Sequence, residues 1–409
     1  MIVDIINKKR LGKELSYKEL SDFFNGYLEG DVKDYQMSAL LMAICINGMS
    51  DEEVFALTKI FIDSGDILEF DDFMGVKVDK HSTGGIGDKT TLIIGPIVAA
   101  CGIPVVKMSG RGLGYTGGTI DKLESIPGFR IDLSDDEIIN QVCKANLVIT
   151  GQTADLAPMD KVIYALRDVT ATVESIPLIA SSVMSKKIAS GADKILIDIK
   201  VGKGAFCKTK TDAKKLSDLM IKIGKVYHRE VRTMISDMNV PLGRCIGNAL
   251  EVQEAIDVLR CREIYGNLVE LCYDLAADMI SMGKGITKRE AFKMVIEVLN
   301  NGSAYNKFLE MVKLQNGDID GIVVSSKKKY IKAKSSGTVK NIDALKLGKL
   351  SVSMGAGRQS KEDRIDYSVG IKINKLVGEK VKKGEALATL YINDKFDKKL
   401  IDEDIFDII

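Results

Sequence analysis

The chain has 409 residues, 45% of them apolar, with 58 basic and 57 acidic side chains and a formal charge of +1 at pH 7. That length allows two or three domains around a large core, and the balanced charge excludes a general nucleic-acid or membrane-surface binder, which carries a basic excess. The seven cysteines, Cys45, Cys101, Cys143, Cys207, Cys245, Cys261 and Cys272, are odd in number and lack C-x-x-C spacing, so a reducing cytoplasm is expected rather than a disulfide framework or a zinc site.

Met1 to Arg10 lacks the basic-then-apolar order of a signal peptide. Ser16 with Glu19 and Ser50 with Glu53 form capping boxes, and Leu20, Phe23, Phe24, Tyr27 and Leu28 recur at helical spacing, so residues 1 to about 66 read as helical. From Val76 the pattern changes to short apolar runs, Val76 to Val78, Pro104 to Met108, Leu147 to Thr150 and Ile195 to Val201. Glycine loops and helical windows such as Ser134 to Lys144 separate them, which predicts a mostly parallel α/β domain. The longest apolar stretch, Leu92 to Val106, is interrupted by Gly95, Pro96, Gly102 and Pro104, so no membrane span is expected.

A helical insertion, roughly Met159 to Ser190, lies between two of the strands, with Pro177 suited to a first turn and Gly191 to a C-terminal cap. A further helical stretch ends near Leu314. From about 331 the chain turns strand-like, with Gly370, Gly378 and Gly384 punctuating alternating segments. The spacing of Val377 to Gly384 looks like a biotinyl or lipoyl hammerhead, but no modifiable-lysine motif is evident, so the module reads as structural. Lys327 to Lys329 reads as a solvated turn.

Two glycine loops follow strands. Residues 109 to 124 hold five glycines with Arg111 and the hydroxyls of Ser109, Thr116 and Thr119, a composition suited to an anion such as phosphate. Gly112, Gly114 and Gly117 also fit G-x-G-x-x-G, with Asp132 downstream. However, Gly118 and then Pro127 leave no room for the long helix that a dinucleotide fold needs. The second loop, Lys80 to Thr91, contains His81, one of two histidines, placed between Lys80 and Ser82 where it can supply a proton or hydrogen bond near neutral pH. His228 reads as structural.

At these residues the chain resembles the thymidine and pyrimidine-nucleoside phosphorylases. Their pattern S-G-R-G-L-x-x-T-G-G-T-x-D-K-x-E is matched at every fixed position by residues 109 to 124, and the likeness extends from Lys9-Arg10 and Asp34 to Ala39 to near Tyr391. The resemblance implies a helical lobe plus a mixed, mostly parallel α/β domain, with a C-terminal β-rich hammerhead-like module. The expected division is 1–66 and 159–190 for the helical domain, 70–158 and 191–330 for the phosphate-binding α/β domain, and 331–409 for the C-terminal α+β module. A cleft between helical lobe and sheet, and a homodimer through the N-terminal helices, are further implications.

The implied activity is reversible phosphorolysis of uridine, deoxyuridine or thymidine to free base and a pentose 1-phosphate, with inorganic phosphate as co-substrate and no organic cofactor. Carried over position by position, the phosphate site comprises Lys80, His81, Ser82, Thr91, Ser109 and Thr119, bordered by Lys107 and Met108. For Thr91 a helix-start cap is an equal alternative. Ser182 and Lys186, four apart on one helical face, would bind the pyrimidine together with Arg167 and Tyr164, with His81, Arg167, Ser182 and Lys186 as the catalytic set. Lys107-Met108-Ser109 resembles the bacterial enzymes that accept both uridine and thymidine; stricter thymidine phosphorylases carry methionine at the lysine position.

The sequence departs from the family at Tyr115, where histidine is usual, and at Leu259 to Gly266, where a glycine-rich turn with proline is usual. A potassium site of some bacterial relatives maps onto Gly87, Lys89, Leu242, Cys245 and Glu254. If Lys89 gives only its carbonyl, the ion fits; otherwise the Lys89 ammonium occupies the site and pairs with Glu254. Two rival readings remain. One is a phosphoribosyltransferase of similar fold, for which Asp121 and Glu124 are the available metal ligands, and the other a non-catalytic nucleotide-binding protein.

Overall fold

In the computed structural model, which describes residues 2–70, 75–112, 114–115, 117–151, 156–358, 363–401 and 404–409, the chain opens with four helices. These are α1 (Ile2–Arg10), α2 (Tyr17–Leu28), α3 (Asp34–Asn47) and α4 (Asp51–Asp63). The α/β region follows as β1 (Val78–Ser82), α5 (Thr90–Ala100), β2 (Val105–Ser109), α6 (Thr119–Leu123), α7 (Asp135–Ala145) and β3 (Leu147–Gly151). Next come α8 (Pro158–Val169), α9 (Ile176–Ala189), β4 (Lys194–Val201), α10 (Lys210–Val226), β5 (Glu230–Asp237) and β6 (Cys245–Ile246). Four helices, α11 (Asn248–Leu259), α12 (Asn267–Lys284), α13 (Lys288–Asn300) and α14 (Ser303–Leu314), lead to the C-terminal part. That part consists of β7 (Lys328–Lys332), β8 (Gly337–Ile342), α15 (Ala344–Ser351), β9 (Gly370–Ile373), β10 (Lys380–Val381), β11 (Ala386–Tyr391) and β12 (Phe406–Ile408).

Contacts divide the chain into two compact units. One comprises Met1–Phe73, Thr153–Ile197 and Thr209–Thr233; the other comprises Met74–Gln152, Asp198–Lys208 and Met234–Ile409. The helical insertion read as 159–190 falls in the first unit, together with α10.

In the first unit, Ser16 and Ser50 each accept the N–H of the glutamate three residues on, while Glu19 and Glu53 reach back to the cap N–H. Leu20, Phe23, Phe24, Leu40, Phe61, Met159, Ile163 and Leu178 form one buried cluster, in which Phe24 meets Phe61 edge-to-face at 5.8 Å. Glu53 does a second job. Its carboxylate takes the buried Lys9 ammonium at 2.8 and 2.7 Å and the Leu15 N–H at 2.8 Å, joining α1, the loop after it and α4. Pro177 sits in the first turn of α9, where its missing N–H costs nothing.

In the second unit, β2 and β3 pair in parallel, Val105 opposite Leu147 through Ser109 opposite Gly151. The chain also forms a sheet of order β1-β4-β5, and antiparallel sheets of order β6-β9-β11-β7 and β10-β8-β12 build the C-terminal module, with β6 joining it from ahead of α11. β1 begins two residues later than the apolar run suggests and extends through Lys80, His81 and Ser82, so residues expected in a loop are the end of a strand. Extended pairing holds them there, as in the bond from Thr83 N–H to the Asp198 carbonyl at 3.0 Å. β5 went unseen in the sequence because Glu230–Asp237 contains no apolar run. Among the described residues no helix is long and apolar enough to cross a membrane.

Candidate active site

The two glycine loops expected to bind an anion lie in the second unit. Lys80 is buried near the end of β1; its Nζ donates to Thr90 Oγ1 at 2.6 Å and stands 3.5 Å from Asp198 Oδ2. Ser82 donates its hydroxyl to Asp88 and accepts the Gly84 N–H at 3.3 Å. Thr90 donates in turn to Asp88 Oδ1 at 2.5 Å. Asp88 therefore holds both hydroxyls that flank the turn. Burial, the largest influence, would raise its pKa, but the ammoniums of Lys80 and Lys200 and the bonds from Ser82 and Thr90 outweigh it, leaving the carboxyl well below its usual range.

Beneath the turn, β4 carries Asp198 and Lys200 into the core. Lys200 Nζ donates to Asp198 Oδ2 at 2.5 Å, and Ser236 donates to Asp198 Oδ1 at 2.5 Å. Two charged residues alternating inside the apolar run of β4 were the signal for this network, and sequence reasoning passed over it. It also named Thr91, which is half-buried in the first turn of α5, whereas the hydroxyl facing Lys80 is that of Thr90.

Lys107, Met108 and Ser109 are buried at the C-terminal end of β2, with Lys107 Nζ 3.8 Å from Asp79 Oδ1. His81 is half-buried on β1, and Thr119 is the first residue of α6. Thr116 lies outside the described residues.

The glycine loop itself is braced by its own carboxylates. Asp121 accepts from the Gly112 N–H at 2.5 Å, from Arg111 at 3.3 Å and from Arg358 at 3.2 Å. Glu124 accepts from Arg111 at 2.7 Å and from the Tyr367 hydroxyl at 2.9 Å. Gly118 is required by close approach: a Cβ there would overlap the backbone of Arg111 and Gly112. With Asp121 and Glu124 committed to arginines and the loop backbone, the acidic pair that a magnesium-dependent transferase would use is already engaged.

The other set of predicted residues lies in the first unit, on α8 and α9. Lys186 Nζ lies 3.1 Å from Ser182 Oγ, to which it donates, and 2.8 Å from Asp160 Oδ2, a carboxylate that is 1% exposed. Both the Lys186 ammonium and the Arg167 guanidinium stand 5.5 Å from the Tyr164 ring centroid. Burial raises the Tyr164 phenol to about 12, so it stays protonated at neutral pH. Arg167 is buried and donates to the carbonyls of Thr172 (3.1 Å), Leu178 (3.2 Å) and Val173 (2.8 Å), stapling the turn between α8 and α9. Ser182 is 3% exposed, so the solvated face that is the default for such a pair does not occur here. Asp160 was missed, although Asp160, Tyr164 and Arg167 fall at i, i+4 and i+7 on one face of α8.

The residues read as a potassium site also come together, in the second unit. Lys89 Nζ donates to the carbonyls of Leu242 at 3.1 Å and Cys245 at 2.7 Å and to Glu254 Oε2 at 2.5 Å. Gly87, at φ +72°, is pressed against the same carbonyls: a Cβ would stand 2.5 Å from the Leu242 oxygen. Burial of Lys89 favours the neutral amine most strongly, yet the charges of Glu254 and Glu251, with Cys245 and the hydrogen bond to Glu254, outweigh it and its pKa rises. The oxygens that a potassium ion would need are taken by this ammonium, so the residues present do not fit the ion.

Comparison with known proteins places these features in a family context. Residues 74–305 match the glycosyl transferase family a/b domain, residues 3–65 that family's helical bundle domain, and residues 338–404 the pyrimidine nucleoside phosphorylase C-terminal domain. The chain is 50% identical over 399 residues to the pyrimidine-nucleoside phosphorylase of Staphylococcus haemolyticus, covering 96% of this chain and 92% of that one. It is also 50% identical over 406 residues to that of Staphylococcus epidermidis, with the same coverage. The anthranilate phosphoribosyltransferase of Thermus thermophilus superposes with a TM-score of 0.59 over 76% of this chain and 99% of that one; at 16% identity this likeness concerns the fold alone.

Proposed function

The chain belongs to the pyrimidine-nucleoside phosphorylases, and on that premise we propose how it carries out reversible phosphorolysis of a pyrimidine nucleoside to free base and pentose 1-phosphate. A phosphate oxygen forms a bond to C1′, the C1′–N bond breaks, and its electron pair passes to the base. Because C1′ becomes oxocarbenium-like, the protein's work is to hold the nucleophile in line and to meet the charge on the leaving base.

Lys80, Ser82 and Ser109 are the principal phosphate donors in this reading, with Thr91 and Thr119 beside them and Lys107 and Met108 at the border. Lys186, Ser182 and Arg167 hold the base, Tyr164 packs against it, and His81 hydrogen-bonds or protonates it. The observation that carries the reading is the Lys186 cluster. An ammonium fixed by Ser182 and a buried Asp160 against an aromatic ring presents a cation and a hydroxyl to a flat ring that departs with negative charge on its carbonyls.

The substrate range follows from Lys107, which favours turnover of both uridine and thymidine. A homodimer through the N-terminal helices is supported by exposed apolar side chains there, among them Val3, Tyr35 and Ile46 at 67%, 72% and 74%. A cytoplasmic location is supported by the odd number of cysteines and their lack of C-x-x-C spacing.

The test is purified protein with uridine or thymidine, with and without phosphate. Base release only with phosphate is expected; absence of release in both conditions overturns the proposal, and negligible uridine turnover beside thymidine overturns the broad range.

A further inference from the structure

Glu254 lies under the turn that carries the phosphate-loop residues. Both of its oxygens are used, Oε1 by the Arg244 N–H at 2.6 Å and Oε2 by the Cys245 N–H at 2.9 Å, yet at 4% exposure its charge would be uncompensated without a cation. Beside it the carbonyls of Leu242 and Cys245 point at the same spot. An ammonium has three N–H bonds, and the Lys89 ammonium finds three acceptors there at 3.1, 2.7 and 2.5 Å. Its side chain is fully buried. Donor and acceptor numbers match, and Gly87 closes the cage against the same carbonyls.

We propose that Lys89 is the protein's own monovalent cation: its ammonium permanently fills the carbonyl and carboxylate cage, so that neither the fold nor turnover depends on dissolved potassium. The consequence for the reaction follows from chain position. Lys89 is flanked by Asp88, which holds Ser82, and by Thr90, which accepts from Lys80. Pinning residue 89 to the 242–254 segment therefore fixes the turn from which those donors are oriented. Lys89 acts through its neighbours and is a positioning residue. A tethered ammonium also cannot be lost by dilution, unlike an ion held by mass action.

The experiment compares thermal unfolding and phosphorolysis in tetramethylammonium chloride with the same measurements in potassium chloride at equal ionic strength. For the unaltered protein the Tm and the rate should coincide in the two salts. A several-fold activation by potassium, or a Tm rise of several degrees, overturns the proposal. Lys89→Thr empties the cage; its Tm should fall, and potassium should restore roughly 5 °C at a large excess over its Kd, with lithium restoring none. A Lys89→Thr protein that keeps the parent Tm and rate without potassium, or that responds to no cation, also overturns it. If that variant does not fold, the comparison of salts on the unaltered protein decides alone. The unfolding measurement needs no substrate, so its outcome is separate from the fate of the phosphorolysis reading.

Discussion

The Lys186 ammonium stands 2.8 Å from the buried carboxylate of Asp160, and the two residues come from consecutive helices. Asp160 accepts no aligned hydrogen bond among the described residues, so this ion pair is the main interaction that holds its charge. Lys186 is thereby aimed by α8 while being carried on α9.

Removing that ammonium should remove stabilisation of the leaving base. Lys186→Ala is expected to lower kcat/KM for thymidine by about 100- to 1,000-fold, the usual effect of losing one preorganised donor to developing charge. Asp160→Asn should cost less, about 10-fold, and mainly in kcat, because the ammonium remains but is no longer aimed. Steady-state kinetics with nucleoside and phosphate varied separately checks both. Full activity in Lys186→Ala would discard the assignment of the base site.

On the phosphate side, Lys80 is the ammonium nearest the hydroxyls of the turn. Lys80→Ala should raise the KM for phosphate by roughly 10- to 150-fold, corresponding to about 1.5–3 kcal/mol for a charge-assisted bond. The KM for nucleoside should stay close to the parent value. An unchanged phosphate KM would move the nucleophile's site away from β1.

Stability has a separate focus in the Lys9–Glu53 pair, whose side chains are 3% and 1% exposed. Glu53→Ala leaves the Lys9 ammonium buried and unpaired and frees the N–H of Leu15 and of Ser50, so a loss of about 3–5 kcal/mol is expected. Replacing both charges, as in Lys9→Met with Glu53→Leu, should recover part of it. Urea unfolding followed by helical signal measures the difference; a loss under about 1 kcal/mol for Glu53→Ala would mean that water reaches the pair.

Much of this was legible before the structure, for physical reasons that vary by residue. Capping boxes are local, so Ser16, Ser50 and the helices behind them were read correctly. The Ser182 and Lys186 contact follows from helical spacing alone. Asp160, Asp198 and Lys200 were not seen because their roles depend on which strand or helix lies opposite, a tertiary fact with only a faint periodic trace. Thr90 and Thr91 are adjacent in sequence but differ in direction by about 100° around α5, so the turn's geometry was needed to decide which one meets Lys80. At Lys89 the sequence posed the alternatives, and the side chain's reach to Glu254 selected one.

Acid sensitivity is expected to report on Asp88. Its carboxyl is held well below the usual 3.8 by Lys80 and Lys200 and by the bonds from Ser82 and Thr90, although burial alone would push it up. A carboxyl whose folded pKa lies below its unfolded one contributes stability that is fully present above the unfolded value and is lost as pH falls through the folded value. The contribution should therefore be constant from pH 7 to about 5 and decline below about 3.8. Asp88→Asn lacks it at every pH. Its Tm should lie below the parent's by a constant gap near neutrality, and the gap should narrow as the pH is taken from about 4 towards about 2. Parallel Tm curves across that range would show that the Asp88 charge does not stabilise the turn.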